Sequence, residues 1–202
     1  MKYTKIRVAF KEFPKRFYRE MYVRSDLSLF KLGVCICCSL GATFEHYFLF
    51  KDAERQYLPR DFEELWGNNV FMTEYSFKDI VLDKKNRFTL TYDTGEDYEF
   101  VITVLEKDVD LKRRKPAIIL KGAGDRIWED NISTLYAYLS GELDGEISES
   151  DEENGIYMPW NVYGGYKLKD FDRPFNVKAA DYLIAGQVEI TIEQLEDNGV
   201  RY

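Results

Sequence analysis

The sequence predicts an α+β protein in which a mostly antiparallel β-sheet packs around a buried central helix at about residues 28–41, with additional short helices. Two observations carry this prediction. Residues 28–41 are almost wholly apolar, and a helix that is apolar on every side must be covered by other elements. The flanking segments alternate polar residues with β-branched and aromatic ones, which is typical of strands with one solvent-facing side.

The first half of the chain contains the central helix and its neighbouring strands. Ser28 is suited to cap the helix, because a serine oxygen can accept hydrogen bonds from free helix amides, and Gly41 is suited to end it. The predicted strands are Lys2–Phe10, Phe17–Val23 and Phe44–Phe50, with Gln56–Leu58 as a short partner of the last. One or two helical turns are predicted at Asp61–Trp66 and a short capped helix at Ser76–Leu82.

The second half contains the clearest hairpin. Two β-rich runs, Arg87–Asp93 and Tyr98–Leu105, flank the turn Thr94-Gly-Glu-Asp97. The other predicted elements are a charged loop at 106–115, a strand at Pro116–Leu120, a loop at Gly122–Gly124, helices at Ile132–Leu139 and Val177–Ile184, and a strand-like or helical tail at Val188–Leu195. We expect residues 1–140 to form the α+β core, 141–155 a mobile acidic surface loop, and 156–202 an extension that packs on the same domain.

The charge distribution argues against a polyanion as the main ligand. The formal net charge is −8, although residues 1–31 hold nine Lys or Arg against three Asp or Glu. Because phosphate neutralisation by cations supplies most non-specific affinity for nucleic acids, an acidic chain is a poor match for them. A basic face on the N-terminal strands, with Arg16, Arg19 and Arg24 beside Tyr18 and Tyr22, keeps a nucleic-acid or acidic partner open.

The cysteines and the apolar segments indicate a cytoplasmic protein. Cys35, Cys37 and Cys38 all lie on the central helix, where we expect buried, reduced thiols that pack as small apolar groups. The charged N-terminus has no apolar run typical of a signal peptide, and no stretch of about 18 apolar residues predicts a membrane span.

Several residues recur in an order that resembles the plasmid pRiA4b ORF-3-like family. Those around the central helix are Ser28, Leu29, Leu32, Ile36, Gly41 and His46. Further matches are the turn Tyr92-Asp-Thr-Gly-Glu-Asp-Tyr98, Gly122 with Glu129-Asp130, and Phe175-Asn-Val177, so the resemblance covers about residues 3–140 and 171–184. The match is divergent: Gly33 stands where the family has a His, Ala42 where it has a Trp, and Tyr18-Arg19-Glu20 keeps only the first Arg of a Trp-Arg-Arg step.

The resemblance implies an α+β fold with a mostly antiparallel sheet, and it brings no catalytic activity with it. Members are often labelled insertion-element passenger or resolvase-like (TnpR-like) proteins. A resolvase would show a serine recombinase signature or a basic helix that reads DNA. This chain is acidic and its central helix is apolar, so we do not expect that activity.

Seven residues are the candidate binding residues: Arg19, His46, Asp93, Glu96, Tyr98, Glu129 and Asp130. His46 is the only histidine, and no strained Gly-x-Ser-x-Gly turn or phosphate-binding loop accompanies it, so the sequence assigns no catalytic residue, metal or cofactor. A lone histidine at the head of a buried strand is more often a structural hydrogen-bonding group than a base or a ligand. The carboxylates of a turn such as 93–97 usually serve local hydrogen bonds.

Three functions remain open from the sequence. The leading hypothesis is a non-catalytic binding or interaction module, for which a protein partner is possible. The alternative is a metal-binding protein or enzyme with a site around His46, the 93–97 turn and the 129–130 loop, and the second alternative uses the basic N-terminal strands to bind nucleic acid. A separation above about 10 Å between His46 and every carboxylate would exclude a shared metal site.

Overall fold

A computed structural model describes residues 1–60, 67–143, 147–153, 155–162 and 166–197 of the protein. In chain order the elements are β1 (Lys2–Phe10), β2 (Tyr18–Arg24), α1 (Leu29–Leu40), β3 (Phe48–Lys51), β4 (Gln56–Leu58), β5 (Asn69–Phe71), β6 (Arg87–Tyr92), β7 (Tyr98–Asp110), β8 (Ala117–Ala123), α2 (Ile132–Ser140), α3 (Glu149–Glu153) and α4 (Val177–Asp197). The predicted α+β class is confirmed.

The sheet has eight strands in the order β5-β4-β3-β6-β7-β1-β2-β8. Every neighbouring pair is antiparallel except β4 and β5, which run parallel. Parallel pairing needs a longer connection than a hairpin, and the segment between these two strands includes residues 61–66, where the predicted helical turns lie outside the described residues. The sequence prediction did not include β5.

The central helix α1 forms the middle of the core, as predicted. The Ser28 oxygen accepts a hydrogen bond from the Lys31 amide, and Gly41 ends the helix at φ 73° with its N–H directed to the carbonyls of Cys37 and Cys38. Nine of its residues are buried: Leu29, Leu32, Gly33, Val34, Cys35, Ile36, Cys37, Ser39 and Leu40. All three cysteines are free, and burial raises the pKa of the Cys38 thiol to about 11 and that of Cys35 further, so both stay protonated at neutral pH.

The third strand starts four residues later than the aromatic run predicts. It begins at Phe48 instead of Phe44, because Phe44 adopts a left-handed backbone with φ 65° that a strand cannot contain. Residues 44–46 form a bend before the strand. His46 therefore sits in a loop that leads into β3 instead of on the strand.

Two predicted loops contain regular structure. The charged segment at 106–115 continues β7 as far as Asp110, because its backbone pairs with the start of β1 and Lys2 forms an ion pair with Asp110 at 2.9 Å. In the acidic segment predicted as a loop, Glu149–Glu153 forms α3. The capped helix predicted at Ser76–Leu82 is smaller than expected: only one 3₁₀ turn forms, at Phe77–Asp79, because Ile80 is already extended.

The C-terminal segment forms one continuous helix, α4, where a helix and a separate tail were predicted. It covers the edge strand β8. The Asp181 carboxylate on the helix accepts a hydrogen bond from the Ile119 amide of that strand at 3.0 Å. Lys115 supports the contact with a 2.9 Å ion pair to the same carboxylate. None of the helices in the described part of the chain combines the length and the apolar character that crossing a membrane requires.

Candidate metal centre

Three distant parts of the chain meet at one end of the β3–β6 pair. Phe48 at the start of β3 is opposite Tyr92 at the end of β6, so the loop before β3 lies beside the turn after β6. The Asp93 amide donates a hydrogen bond to the Tyr47 carbonyl at 2.9 Å, which fixes this junction. The loop that precedes α2 completes the arrangement and carries Asp130.

This junction brings together His46, Asp93 and Asp130, which we call the His-Asp-Asp cluster. His46 Nε2 lies 2.8 Å from Asp130 Oδ1, and His46 Nδ1 lies 3.6 Å from Asp93 Oδ1. One ligand atom from each residue can be chosen so that all three lie within 4.8 Å of one another. These separations satisfy the distance condition that the sequence-based hypothesis set for a shared metal site.

Two polar atoms of the cluster are buried without a hydrogen-bond partner among the described residues, namely His46 Nε2 and Asp93 Oδ2. Nε2 makes this short contact with Asp130 without forming a hydrogen bond, so proximity alone does not satisfy the nitrogen. The Asp93 side chain is only 4% exposed. Leaving a buried carboxylate oxygen unpaired costs about 1–3 kcal/mol, so a further ligand at this position is physically favoured.

The two carboxylates are held in place by their own turns. Asp93 has φ 57°, and its Oδ1 accepts hydrogen bonds from the amides of Gly95 at 3.0 Å and Glu96 at 3.2 Å. Asp130 has φ 54°, and its Oδ2 accepts a hydrogen bond from the Trp160 indole at 3.0 Å. In each aspartate one oxygen is therefore used for positioning. The other oxygen of Asp130, Oδ1, faces His46, and the other oxygen of Asp93, Oδ2, has no partner among the described residues.

Glu129 lies next to the cluster but points into the core. Its carboxylate accepts hydrogen bonds from the Thr43 amide at 2.8 Å and from the Tyr92 hydroxyl at 3.0 and 3.1 Å. Burial raises the pKa of this fully buried group, and the hydrogen bonds from Thr43 and Tyr92 oppose the effect. Glu129 therefore ties the loop after α1 to β6 instead of joining His46.

Two other predicted residues of this region also have structural contacts. Glu96 accepts a hydrogen bond from the Ile132 amide at 2.8 Å, which satisfies the first turn of α2. The buried Tyr98 hydroxyl donates to the Trp128 carbonyl. Both groups brace the loops around the cluster without contributing an atom to it.

Arg19 is not part of the cluster and lies in the core. Its side chain is fully buried, and it donates hydrogen bonds to the carbonyls of Ser39 at 2.7 Å, Ala123 at 2.7 Å and Asp125 at 2.6 Å. Burial lowers the pKa of the guanidinium to about 9. A surface-binding role for Arg19 has no support in this geometry.

The other arginines of the predicted basic face have partners within the chain as well. Arg16 forms a 2.6 Å ion pair with Asp172 and donates to the Leu139 carbonyl, and Arg24 forms a 2.6 Å ion pair with Asp26. Each partner reduces the positive charge that remains available to a polyanion.

Trp160, Asn131 and Asn161 are neighbours of the cluster that the sequence analysis did not connect with it. The Asn131 amide donates to the Tyr157 carbonyl at 2.5 Å, and the Asn161 amide donates to the Ile127 carbonyl at 2.9 Å. These bonds join the segment around residue 160 to the loop that carries Asp130. No spacing in the sequence signals this long-range pairing.

The comparisons with known proteins identify the family and the fold. A family model described as "Plasmid pRiA4b ORF-3-like protein" matches residues 2–174. The crystal structure of MM3350, a protein of unknown function from Methanosarcina mazei Go1, is similar with a TM-score of 0.69 over 88% of this chain and 95% of that one. The identity is 13%, so this likeness concerns the fold alone. No curated protein matches the chain.

Proposed function

Since the chain belongs to the plasmid pRiA4b ORF-3-like family, we propose from the geometry of the His-Asp-Asp cluster that the protein is a non-catalytic binding module that holds one divalent transition-metal cation. The ligands are His46, Asp93 and Asp130. The observation that carries the proposal is the pair of buried, unpartnered atoms, His46 Nε2 and Asp93 Oδ2, within a group of three possible ligand side chains.

The donor set selects the class of ion. One imidazole nitrogen with two carboxylate oxygens suits the borderline cation Zn²⁺ or the harder Mn²⁺, whereas Ca²⁺ prefers six to eight oxygen ligands. Two atoms bound to a tetrahedral ion at about 2.1 Å lie about 3.4 Å apart. One ion can take only one nitrogen of His46, whereas the 2.8 Å separation involves Nε2 and the 3.6 Å separation involves Nδ1. With one atom from each residue the three lie within 4.8 Å of one another, so the side chains must draw together to bind an ion.

The charge balance favours a cation over an anion. Two carboxylates neutralise a divalent ion, and the buried Glu129 carboxyl lies next to them, so a bound ion would leave no excess positive charge to attract an anionic substrate. This charge balance supports a holding role for the ion.

Calorimetric titration of the full chain with Zn²⁺ and with Mn²⁺ tests the proposal. We expect one ion per chain, and we expect His46→Gln or Asp93→Asn to weaken binding by 10-fold or more, since the first removes the imidazole ligand and the second removes the carboxylate charge. Asn at position 93 keeps the acceptor for the Gly95 and Glu96 amides and tolerates φ 57°, so this variant should fold.

Glu45→Gln is the matched control, because Glu45 is an exposed acid beside His46 and lies outside the cluster. It should bind the ion as the natural chain does. Equal binding by all four proteins, or no binding by the natural chain, would reject the proposal and leave the cluster as an ion pair within the loop junction.

A further inference from the structure

The helix α4 has two apolar faces, and the fold uses only one of them. Ile184, Val188 and Leu195 are buried against the rest of the protein. On the opposite side Tyr182, Leu183 and Ile190 are 81%, 49% and 56% exposed. A helix at the surface of a protein normally presents polar residues there, so this second face is unexplained by the core.

The exposed apolar face is continuous along the helix. Ala179, Leu183, Gly186 and Ile190 follow one another at intervals of four, three and four residues, which places them on one stripe, with Tyr182 beside it. Among the described residues eight large hydrophobic side chains are exposed, and three of them belong to this face. Concentration of exposed apolar residues on one helix marks an interaction surface.

We propose that this face pairs with the same face of a second copy of the chain, with the two α4 helices antiparallel and crossing at Gly186. A two-fold symmetric interface needs a surface that is complementary to itself. About Gly186, an antiparallel arrangement brings Tyr182 of one copy opposite Ile190 of the other, and it does so twice. Gly186 has no atom within 4 Å of the position where a Cβ would stand, so nothing on its own chain hinders a close crossing of the two backbones.

The charges along α4 favour the antiparallel orientation. The second half of the helix carries four acids, Glu189, Glu193, Glu196 and Asp197, and no cation. The first half carries Lys178 and the positive end of the helix dipole, and its one acid, Asp181, is paired with Lys115. Parallel helices would set the four acids beside their own copies, whereas antiparallel helices place Lys178 next to the partner's Glu193.

Sedimentation equilibrium of the full chain tests whether the dimer exists. We expect a concentration-dependent species of twice the 23.9 kDa chain mass, and we expect Ile190→Glu to shift the protein to monomer. Leu105→Glu makes the same change at a side chain that is 46% exposed on β7, and it should leave the dimer intact. A natural chain that remains monomeric at all concentrations would overturn the proposal.

Cysteine cross-linking tests the orientation. In an antiparallel pair only the residue at the crossing point faces itself, so Gly186→Cys should form an intermolecular disulfide under mild oxidation and Ala179→Cys should not. The natural chain, with Cys35 and Cys37 buried and Cys38 half-buried, gives the background. Cross-linking of Ala179→Cys to itself would reject the antiparallel arrangement.

A charge exchange provides the third test. Lys178→Glu should weaken the dimer, and the double variant with Glu193→Lys should restore it, since each chain then carries the exchanged pair. Failure of the double variant to recover would contradict the proposed contact between these two residues.

Discussion

Asp52 shows how one side chain can join two loops. Its Oδ1 accepts hydrogen bonds from the amides of Glu54 at 2.8 Å and Arg55 at 2.7 Å, and its Oδ2 accepts from the Tyr57 hydroxyl at 2.7 Å and the Val81 amide at 2.8 Å. Burial alone would raise the pKa of this carboxyl, but the four hydrogen bonds together lower it. The ionised form is therefore the one that the folded protein stabilises.

Replacing Asp52 by Asn should destabilise the protein by about 1–3 kcal/mol at pH 7. The side-chain nitrogen of Asn cannot accept the hydrogen bonds that one of the two carboxylate oxygens of Asp52 accepts. The folded pKa is lowered, so the carboxylate's contribution is complete above its unfolded value of about 3.9 and is lost as the pH falls through the folded value. Urea unfolding at pH 7 and in steps below pH 4 should show the two proteins converging in stability. Glu54→Gln, an exposed change two residues away, should have almost no effect; an equal loss there would contradict the role of Asp52.

Arg19 illustrates a limit of sequence patterns at this scale. Alternation along β2 predicts a basic outer face, but it does not tell which charged residue turns inward. The fold supplies Arg19 with carbonyls from the end of α1 and the end of β8, and its guanidinium stacks on the Phe175 ring at 3.9 Å. Those partners are distant in sequence, so only the assembled structure shows that the charge can be buried.

Arg19→Lys should therefore destabilise the protein by about 2–4 kcal/mol, since the single ammonium group of Lys cannot contact all the carbonyls that the planar guanidinium of Arg19 contacts together. Arg24→Lys is the matched control, because Arg24 pairs with the exposed Asp26, and exposed pairs contribute at most about 1 kcal/mol. Chemical denaturation compares the two. Similar losses in both variants would show that the buried carbonyl contacts of Arg19 are not the cause.

At the scale of elements, α1 approaches β3 through a glycine. A Cβ atom at Gly33 would lie 1.9 Å from the Phe48 ring, which stacks on Phe30 with ring centroids 6.3 Å apart. Such a separation is far below contact distance, so either the helix or the ring would have to move. This close approach also explains why a glycine is tolerated in the middle of a helix that is otherwise built of good core residues.

Gly33→Ala should destabilise the protein by about 1–3 kcal/mol through overpacking, although alanine is favoured over glycine in helices by about 1 kcal/mol. Gly186→Ala, in α4, has no neighbouring atom to displace and should raise the stability by up to about 1 kcal/mol when measured in dilute protein. Adding Phe48→Leu to Gly33→Ala should recover part of the loss. A stabilised Gly33→Ala protein would show that the helix can shift freely over β3.

The elements could be predicted where local pattern and long-range packing agree. The alternation of Lys5-Ile-Arg-Val8 favours a strand, and β1 has the predicted bounds Lys2–Phe10. Val188-Glu-Ile-Thr-Ile-Glu193 also alternates, which suggested a strand-like tail, yet it continues α4 because extending a helix that has already formed is easier than starting a new element. The buried positions Ile184, Val188 and Leu195 show the helical spacing that decides the outcome.

At the scale of the whole molecule, the sequence could name the participants of the candidate site but not their directions. His46, Asp93 and Asp130 meet, whereas Glu96 and Glu129 turn to other partners. Glu129 enters the core, while the next residue, Asp130, has φ 54° and faces His46. No rule of spacing predicts such a turn, because its conformation depends on contacts with residues about 30 positions away along the chain, such as Trp160.

A cation at the His-Asp-Asp cluster would join three segments that are far apart in sequence, and this leads to a prediction for the whole molecule. At 100 times its dissociation constant a ligand stabilises the folded state by about 2.7 kcal/mol. In the presence of Zn²⁺, the exchange of backbone amide hydrogens should therefore slow near His46, Asp93 and Asp130 together, because one ion restrains all three loops. The strands β4 and β5, which carry none of the three cluster residues, serve as the internal control and should gain only what global stabilisation gives. In Asp93→Asn the local slowing should disappear from all three segments at once; slowing that persists at any one of them would place the ion elsewhere.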